Sequence, residues 1–456
     1  MAETVKLGDE ATADLPEGFK ITELGPLPED WQVVPLAMVA VIGGSKVNLS
    51  PYEPIPFIPM SLIPEDSLYI TNWELRGRKD VRSGIPVREG DLLLAKITPC
   101  LENGKQGIVN GLPNGWAYAS TEVYPIRALD SLDIEFLALY LKHERVRHNL
   151  ASKMEGTTGR QRLPKSVLQA LPIPLPPVHE QRIIASVLRT VQRAKEATKK
   201  VLAAARELKK SLMRYLFTYG PVPVEEGARV PLKETEVGLI PTHWDVVRFG
   251  DVASFIRGIS WRKSDEDPNG VPVVAIPNIK NGRVIFDGLY RIKSKANSSK
   301  RLLSGDILLV GSSGSVDNIG RVAIVNEMPF PEVYFASFLV KVQPTERLDK
   351  RYLFLLLSGK VVNFASCSKR AADGKYNLQL EALRSSLIPL PSLREQEEIA
   401  HLLAAVDLKI QAEEARIHAL DTLFKTLLHL LMTGRVRVKD LSLPETEGVA
   451  SGASRE

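Results

Sequence analysis

The sequence predicts an α+β protein: two globular domains of mixed sheet plus helices, separated by two long antiparallel coiled-coil helices, with a pseudo-two-fold internal repeat. Three observations carry this. Leu171 to Thr218 recurs as Ser386 to Thr433 without insertion, at a constant offset of 215 residues (Pro174 to Pro389, Glu180 to Glu395, Gln181 to Gln396, Leu216 to Leu431). Self-similarity of this kind marks a duplicated structural unit. The repeat also reaches upstream. Gly90-Asp91-Leu92-Leu93-Leu94 matches Gly305-Asp306-Ile307-Leu308-Leu309, and Trp31-Gln32-Val33-Val34 matches Trp244-Asp245-Val246-Val247. Finally, each unit passes from short apolar runs punctuated by Gly and Pro to a long stretch of helical spacing.

In order, residues 1–20 are polar and read as a flexible N-terminal arm. The first domain, 21–165, carries strand signals at Val33-Val34, Pro56-Phe57-Ile58, Leu68-Tyr69-Ile70, Leu92-Leu93-Leu94, Gln106 to Val109 and Val123 to Ile126. Ile134 to Leu150 reads as one helix, Glu155 to Arg162 as a glycine-bearing basic loop, and Pro164 to Leu171 as a short helical turn. The first long helix occupies 166–220 and a Pro/Gly/Glu-rich linker 221–237. The second domain, 238–378, repeats the strand pattern around Val273, Val284, Ile307 to Val310, Val322 to Val325 and Phe338 to Val340, then a helix from Arg351 to Phe364. Its basic loop, Ser368 to Lys375, sets Gly374 against Gly159 and Lys375 against Arg160. The second long helix occupies 379–435, and the tail 436–456 reads as disordered.

The prolines from Pro172 to Pro177 suit an extended lead-in and a first helical turn, where a missing amide costs nothing. Ser392 to Glu395 is a capping-box pattern, whereas Pro177 replaces that serine in the first copy. Helix-start chemistry is therefore one reading of Glu180 and Glu395, docking of a partner another, and Gln181 and Gln396 share the question. Ile184, Leu188, Val191, Thr198, Leu202, Ala205, Leu212 and Leu216 keep a 4-3 spacing. So do Ile399, Leu403, Val406, Glu413, Ile417, Leu420, Leu427 and Leu431. This is a coiled-coil seam interrupted once, at Thr198 and Glu413. A helix of about 38 residues, roughly 55 Å long, cannot bury such a stripe alone. Two equivalent units packed antiparallel would hold the domains apart on a rigid spacer.

The totals bound the function. The chain has 456 residues, a net charge of +5, the small difference between 59 basic and 54 acidic residues, and two distant cysteines, Cys100 and Cys367. It permits nucleic-acid binding without demanding it, and no disulfide or metal framework is visible. Neither a signal peptide nor a membrane span appears, so the expectation is a soluble, cytoplasmic protein. No phosphate-loop motif is present, and the glycines of Gly311-Ser312-Ser313-Gly314-Ser315 are wrongly spaced for a phosphate cradle or nucleophile elbow. The seven histidines form no metal-ligand pattern, and no catalytic constellation emerges, which favours a binding module.

The remaining candidates are polar and basic residues at loop tips. The first domain offers Lys46, Asn48, Ser61, Arg78, Lys96, Thr98, Lys105, Arg160 and Arg162, with Arg76, Lys79 and Asn103 beside them. The second offers Arg257, Trp261, Arg262, Lys263, Asn278, Lys280, Ser312, Ser313, Asn318, Arg370 and Lys375, with Lys293, Lys295, Lys300 and Lys369. Arg and Lys hold phosphates and can read guanine edges, while Asn can read adenine. Any one of them taken singly also reads as a solvated surface charge.

The doubled Leu-Pro-x-Pro-Leu-Pro…Glu-Gln helix entry, the Gly-Asp-(Leu/Ile)-Leu-Leu strands and the Trp-x-Val-Val starts resemble the specificity subunit of a Type I restriction–modification system, over residues 25 to about 435. The resemblance implies a DNA-binding protein without catalytic activity of its own. Each domain would be a target-recognition domain reading half of a bipartite DNA target. The helices would be the family's conserved regions, fixing the gap and docking two methyltransferase (modification) subunits that methylate adenine, with restriction/translocase subunits added. S-adenosylmethionine, ATP and Mg would sit on those partners and no cofactor on this chain. By position, Lys96-Ile97-Thr98 and Gly311-Ser312-Ser313, following the Gly-Asp strands, and Arg160 and Lys375, preceding the long helices, are the carried-over loops. Two rival readings stay open: a two-headed protein-interaction scaffold without DNA specificity, and the specificity subunit of a fused restriction–methylation enzyme.

Overall fold

The structure, a computed structural model, describes residues 15, 17–44, 54–81, 83–157, 159–293, 298–359 and 361–438. Lys46, Asn48 and Lys295 lie outside the described residues, as do most of the expected arm and tail. Contacts divide the chain into two compact units, residues 1–202 with 413–456, and residues 203–412. Each therefore combines a sheet body with segments of both long helices, Val178–Tyr219 (α1) and Leu393–Met432 (α2).

In the first unit, Gln32–Pro35 pairs antiparallel with Pro172–Leu175, setting Val34 opposite Ile173. The proline lead-in is thus a strand, in a two-stranded ribbon where an absent proline amide breaks no central ladder. The main sheet is ordered Ala40–Ile42, Val123–Ala128, Leu92–Ala95, Gln106–Val109, Tyr69–Ile70. Leu92, Leu93, Leu94 and Ala95 are all buried, as a central strand covered on both faces requires. A second sheet runs Glu74–Arg76, Ile55–Ile58, Trp116–Ala119, Ile85–Arg88. Along α1 the numbers rise as those of its neighbour fall: Glu180 meets Arg437 and Lys195 meets Asp421. Ile184 and Leu188 share one core with Phe424, Leu428 and Leu431, so the helix segments of this unit are antiparallel.

The expected single helix from Ile134 to Leu150 is two, Ile134–Lys142 and Glu144–Ser152, broken at His143, whose backbone is extended. His143 is buried, its ring lies 5.7 Å from that of His429, and its Nδ1 has no hydrogen-bond partner among the described residues. Burial, aided by His429 and Arg145, pushes its pKa down to about 4. Because the unfolded chain takes up this proton at a higher pH, near about 6.5, stability is full above that value and falls as pH drops toward 4. Unfolding free energies from urea titrations at pH 7 and pH 5 are expected to differ by an amount on the order of 1–2 kcal/mol that His143→Gln removes.

The second unit repeats the plan. Asp245–Arg248 pairs antiparallel with Leu387–Leu390. Its main sheet runs Ala253–Arg257, Leu339–Pro344, Ile307–Val310, Val322–Ile324, Arg283–Val284, then an added strand, Ile279–Lys280. A smaller sheet of Tyr290–Ile292, Glu266–Val274 and Tyr334–Phe335 keeps the order of its counterpart, with its fourth strand reduced to one bridge from Arg301 to Tyr334. Lys209 pairs with Asp407 at 2.6 Å, and Leu216 shares a core with Ile399 and Leu403, so here too the helix segments are antiparallel. Two sequence expectations are corrected. The helix beginning near Arg351 spans only Lys350–Ser358, stopped at Gly359, with Asp349 capping the amides of Arg351 and Tyr352. The expected linker holds a helical turn, Val224–Gly227, and a strand, Leu232–Thr235, hairpinned to Gly238–Pro241.

Candidate nucleic-acid interface

The repeated motifs form one joint between each body and its helix. Trp31 Nε1 donates to Glu180 at 3.1 Å, and Trp244 Nε1 donates to Glu395 at 3.0 Å. Gln181 accepts from the Asp133 amide (2.8 Å) and donates to the carbonyls of Ser131 and Pro176. Gln396 accepts from the Asp349 amide (2.8 Å) and donates to those of Arg347 and Pro391. Glu395 also closes the capping box on Ser392. Glu180, lacking that serine, instead accepts from Arg437, which pairs with Asp30 as well. Glu180, Gln181, Gln396, Ile184, Leu188, Ile399 and Leu403, expected to bind a partner or form the spacer, are all buried in their own unit. Glu395 is committed to the same internal joint, and Leu202 is buried too; Val191, Val406 and Ile417 stay half-buried on the helices.

The Gly-Asp motifs close the turn entering each central strand. Asp91 accepts from the Arg88 amide at 2.8 Å and pairs with Arg127, while burial pushes its carboxyl pKa up. Asp306 accepts from the Leu303 amide at 2.9 Å and faces the buried Lys341 at 3.4 Å.

Beyond these turns the strands run out to the carried-over loops, and the structure brings the two halves of each loop pair together. The basic loop is a β-hairpin in both units, Glu155–Thr157 with Arg160–Arg162 and Ser368–Arg370 with Tyr376–Leu378. Gly156 has φ +132°, and a Cβ there would stand 2.5 Å from the Arg160 carbonyl oxygen, so the first hairpin needs glycine. Ile97 bridges to Arg162, and the Thr98 amide donates to the Gln161 carbonyl at 3.1 Å. In the second unit Ser312 pairs with Asn377 and Ser313 with Tyr376. Lys96, Thr98, Arg160 and Arg162 thus form one edge, and Arg370 and Lys375 share another with Ser312 and Ser313. The Lys96 ammonium lies 4.9 Å from the centre of the Tyr124 ring, and burial lowers its pKa. Thr98 Oγ1 is buried without a hydrogen-bond partner among the described residues. Arg370 stands 5.9 Å over the Tyr376 ring, and Lys375 pairs with Asp373 at 3.4 Å.

Other candidates fall elsewhere. Asn278 is buried with both ends of its amide committed, to the Ala275 amide and the Asp287 carbonyl, so it cannot read a base. Ser312 and Ser313 are buried strand residues rather than a turn. Lys105 donates to the Met60 carbonyl, Arg257 to that of Leu378, and Asn318 accepts from Arg321. Ser61, Arg78, Arg262, Lys263 and Lys280 are exposed, and Trp261 packs on Tyr290 with ring centres 5.5 Å apart. Among the described residues no group of three or more His, Cys, Asp or Glu is placed to hold a metal, and no helix is long and apolar enough to cross a membrane.

Two bodies of one plan, each joined to a long helix and carrying a basic hairpin edge, define a tandem recognition protein. Residues 28–206 and 241–422 match the Type I restriction modification DNA specificity domain, and the chain belongs to that family. It is 26% identical over 444 residues, 93% of this chain and 97% of the relative, to the Type I restriction enzyme MjaVIII specificity subunit of Methanocaldococcus jannaschii. It is 35% identical over 187 residues to the EcoAI specificity subunit of Escherichia coli, covering 40% of this chain and 32% of that one. The structure of a Type I restriction–modification S subunit from M. genitalium shares the fold, with a TM-score of 0.55 at 14% identity over 88% of this chain and 96% of that one.

Proposed function

We propose that this chain is the DNA-recognition subunit of a Type I restriction–modification complex. Each body reads one part of a bipartite target, and the long helices set the gap and dock two methyltransferase subunits, with restriction/translocase subunits completing the complex. One observation carries the reading: the family domain occurs twice, and each copy has the same joint to its helix and a hairpin edge of its own composition. The chain itself supplies no chemistry; S-adenosylmethionine, ATP and Mg belong to the partners. Arg and Lys at the edges would position the duplex through phosphates, and base contacts would supply the sequence information. The test is a domain exchange. Replacing residues 21–165 by the corresponding segment of a relative is expected to change one half of the selected DNA sequence and leave the other intact. Affinity should fall steeply with salt as counterions are released. An exchange that altered both halves would contradict independent readers.

A further inference from the structure

The two hairpin edges share a framework and differ in chemistry at one register position. Leu163 and Leu378 stand 215 residues apart, as the rest of the repeat does, and are 1% and 0% exposed. Each has its carbonyl held by the body, Leu163 by the Tyr124 hydroxyl at 2.8 Å and Leu378 by Arg257 Nη2 at 2.7 Å. Side chains alternate along a strand, so in the second body the residue before the inward leucine points outward, and in the first, where the strand ends just before the leucine, the preceding side chain is itself exposed. That predecessor is Arg162 in the first body, bridged to Ile97, and Asn377 in the second, opposite Ser312.

Both side chains have donors or acceptors to spare. The Arg162 side chain is 65% exposed and touches Glu122 through one terminal nitrogen; the rest of its fork makes no hydrogen bond among the described residues. An ion pair this exposed adds little stability. What it does is aim the guanidinium. Asn377 is half-buried, and its side-chain amide makes no hydrogen bond among the described residues. Around each lie cations fit for phosphates, Lys96 and Arg160 in one body and Lys369 and Arg370 in the other.

We propose that Arg162 and Asn377 are equivalent base-reading residues, Arg162 recognising guanine in one half of the target and Asn377 adenine in the other. The inference rests on the specificity-subunit reading. An arginine fork matches the O6 and N7 acceptors of guanine, and an asparagine amide matches N7 and the N6 amino group of adenine, both in the major groove. Glu122 is a positioning residue for the first of these contacts.

The test selects bound duplexes from a randomised pool using the full chain assembled with its methyltransferase subunits. The variants are Arg162→Gln, Arg162→Lys, Asn377→Ala and Asn377→Ser. The expected result for Arg162→Gln is loss of a guanine preference at one position of one half, every other position unchanged, with affinity for the parent target down on the order of ten- to a hundred-fold. Asn377→Ala and Asn377→Ser should relax one adenine position in the other half. Arg162→Lys keeps the charge but not the fork, and should leave the guanine preference relaxed. An affinity that fell evenly over all sequences, or was restored by Arg162→Lys with the selected sequence unchanged, would mark a phosphate contact and overturn the inference. If the parent complex selects a two-part sequence that the variants leave intact, only this inference fails. If the parent selects none, the specificity reading fails with it. Unchanged melting of the variants establishes that the effects are local.

Discussion

Asp306→Ala is expected to destabilise the second unit by about 3–5 kcal/mol, the largest effect of any single substitution considered. Lys341 is 2% exposed and its ammonium has two polar neighbours, the Arg301 carbonyl at 2.9 Å and Asp306 at 3.4 Å. Removing the carboxylate strands a positive charge in the sheet core and also frees the Leu303 amide that closes the turn. The paired replacement Asp306→Leu with Lys341→Met should recover much of the loss, because the cost lies in the uncompensated charge rather than in the missing attraction. Asp91→Ala, the same change in the first unit, should cost less, about 1–3 kcal/mol, since the side chain of its partner Arg127 is 40% exposed and can turn to water. Urea unfolding followed separately for each unit checks the order, because two compact units need not melt in one transition.

Glu180→Ala is expected to cost the first unit about 2–4 kcal/mol. Trp31 is wholly buried and its indole N–H would lose its acceptor, while Arg437 would lose one of its two carboxylates and keep Asp30. Glu180→Gln retains an acceptor for the indole and should cost about half as much. In the second unit Glu395→Ala should be milder, because the side chain of Glu395 is already 19% exposed and one of its partners, His243, lies at the surface. Tryptophan fluorescence during denaturation distinguishes these cases, since each joint has an indole at its centre.

The repeat was legible because its motifs recur in the same order at nearly constant spacing: the Gly-Asp turns and the Glu-Gln helix entries at 215 residues, the Trp-x-Val-Val starts at 213. Their meaning was not. Trp31 and Glu180 are hydrogen-bonded partners 149 residues apart in sequence, and no local pattern shows that one repeated motif exists to satisfy another. Proline masked the strand Pro172–Leu175, because its missing amide reads as a break where the neighbouring ribbon in fact needs no donor. Asn278 was attractive by residue type, yet burial commits its amide to a turn. Asn377 was missed for the opposite reason. It lies in an uncharged run, and only the strand register beside Leu378 shows that it points outward. The break at His143 was invisible because apolar spacing continues through it.

The most direct measurement is the map of methylated adenines in DNA from cells that carry this chain with its methyltransferase partner. They are expected to fall within one two-part sequence with a constant gap, and to vanish when the chain is deleted. Methylation confined to one unbroken motif, or persisting unchanged without the chain, would contradict it.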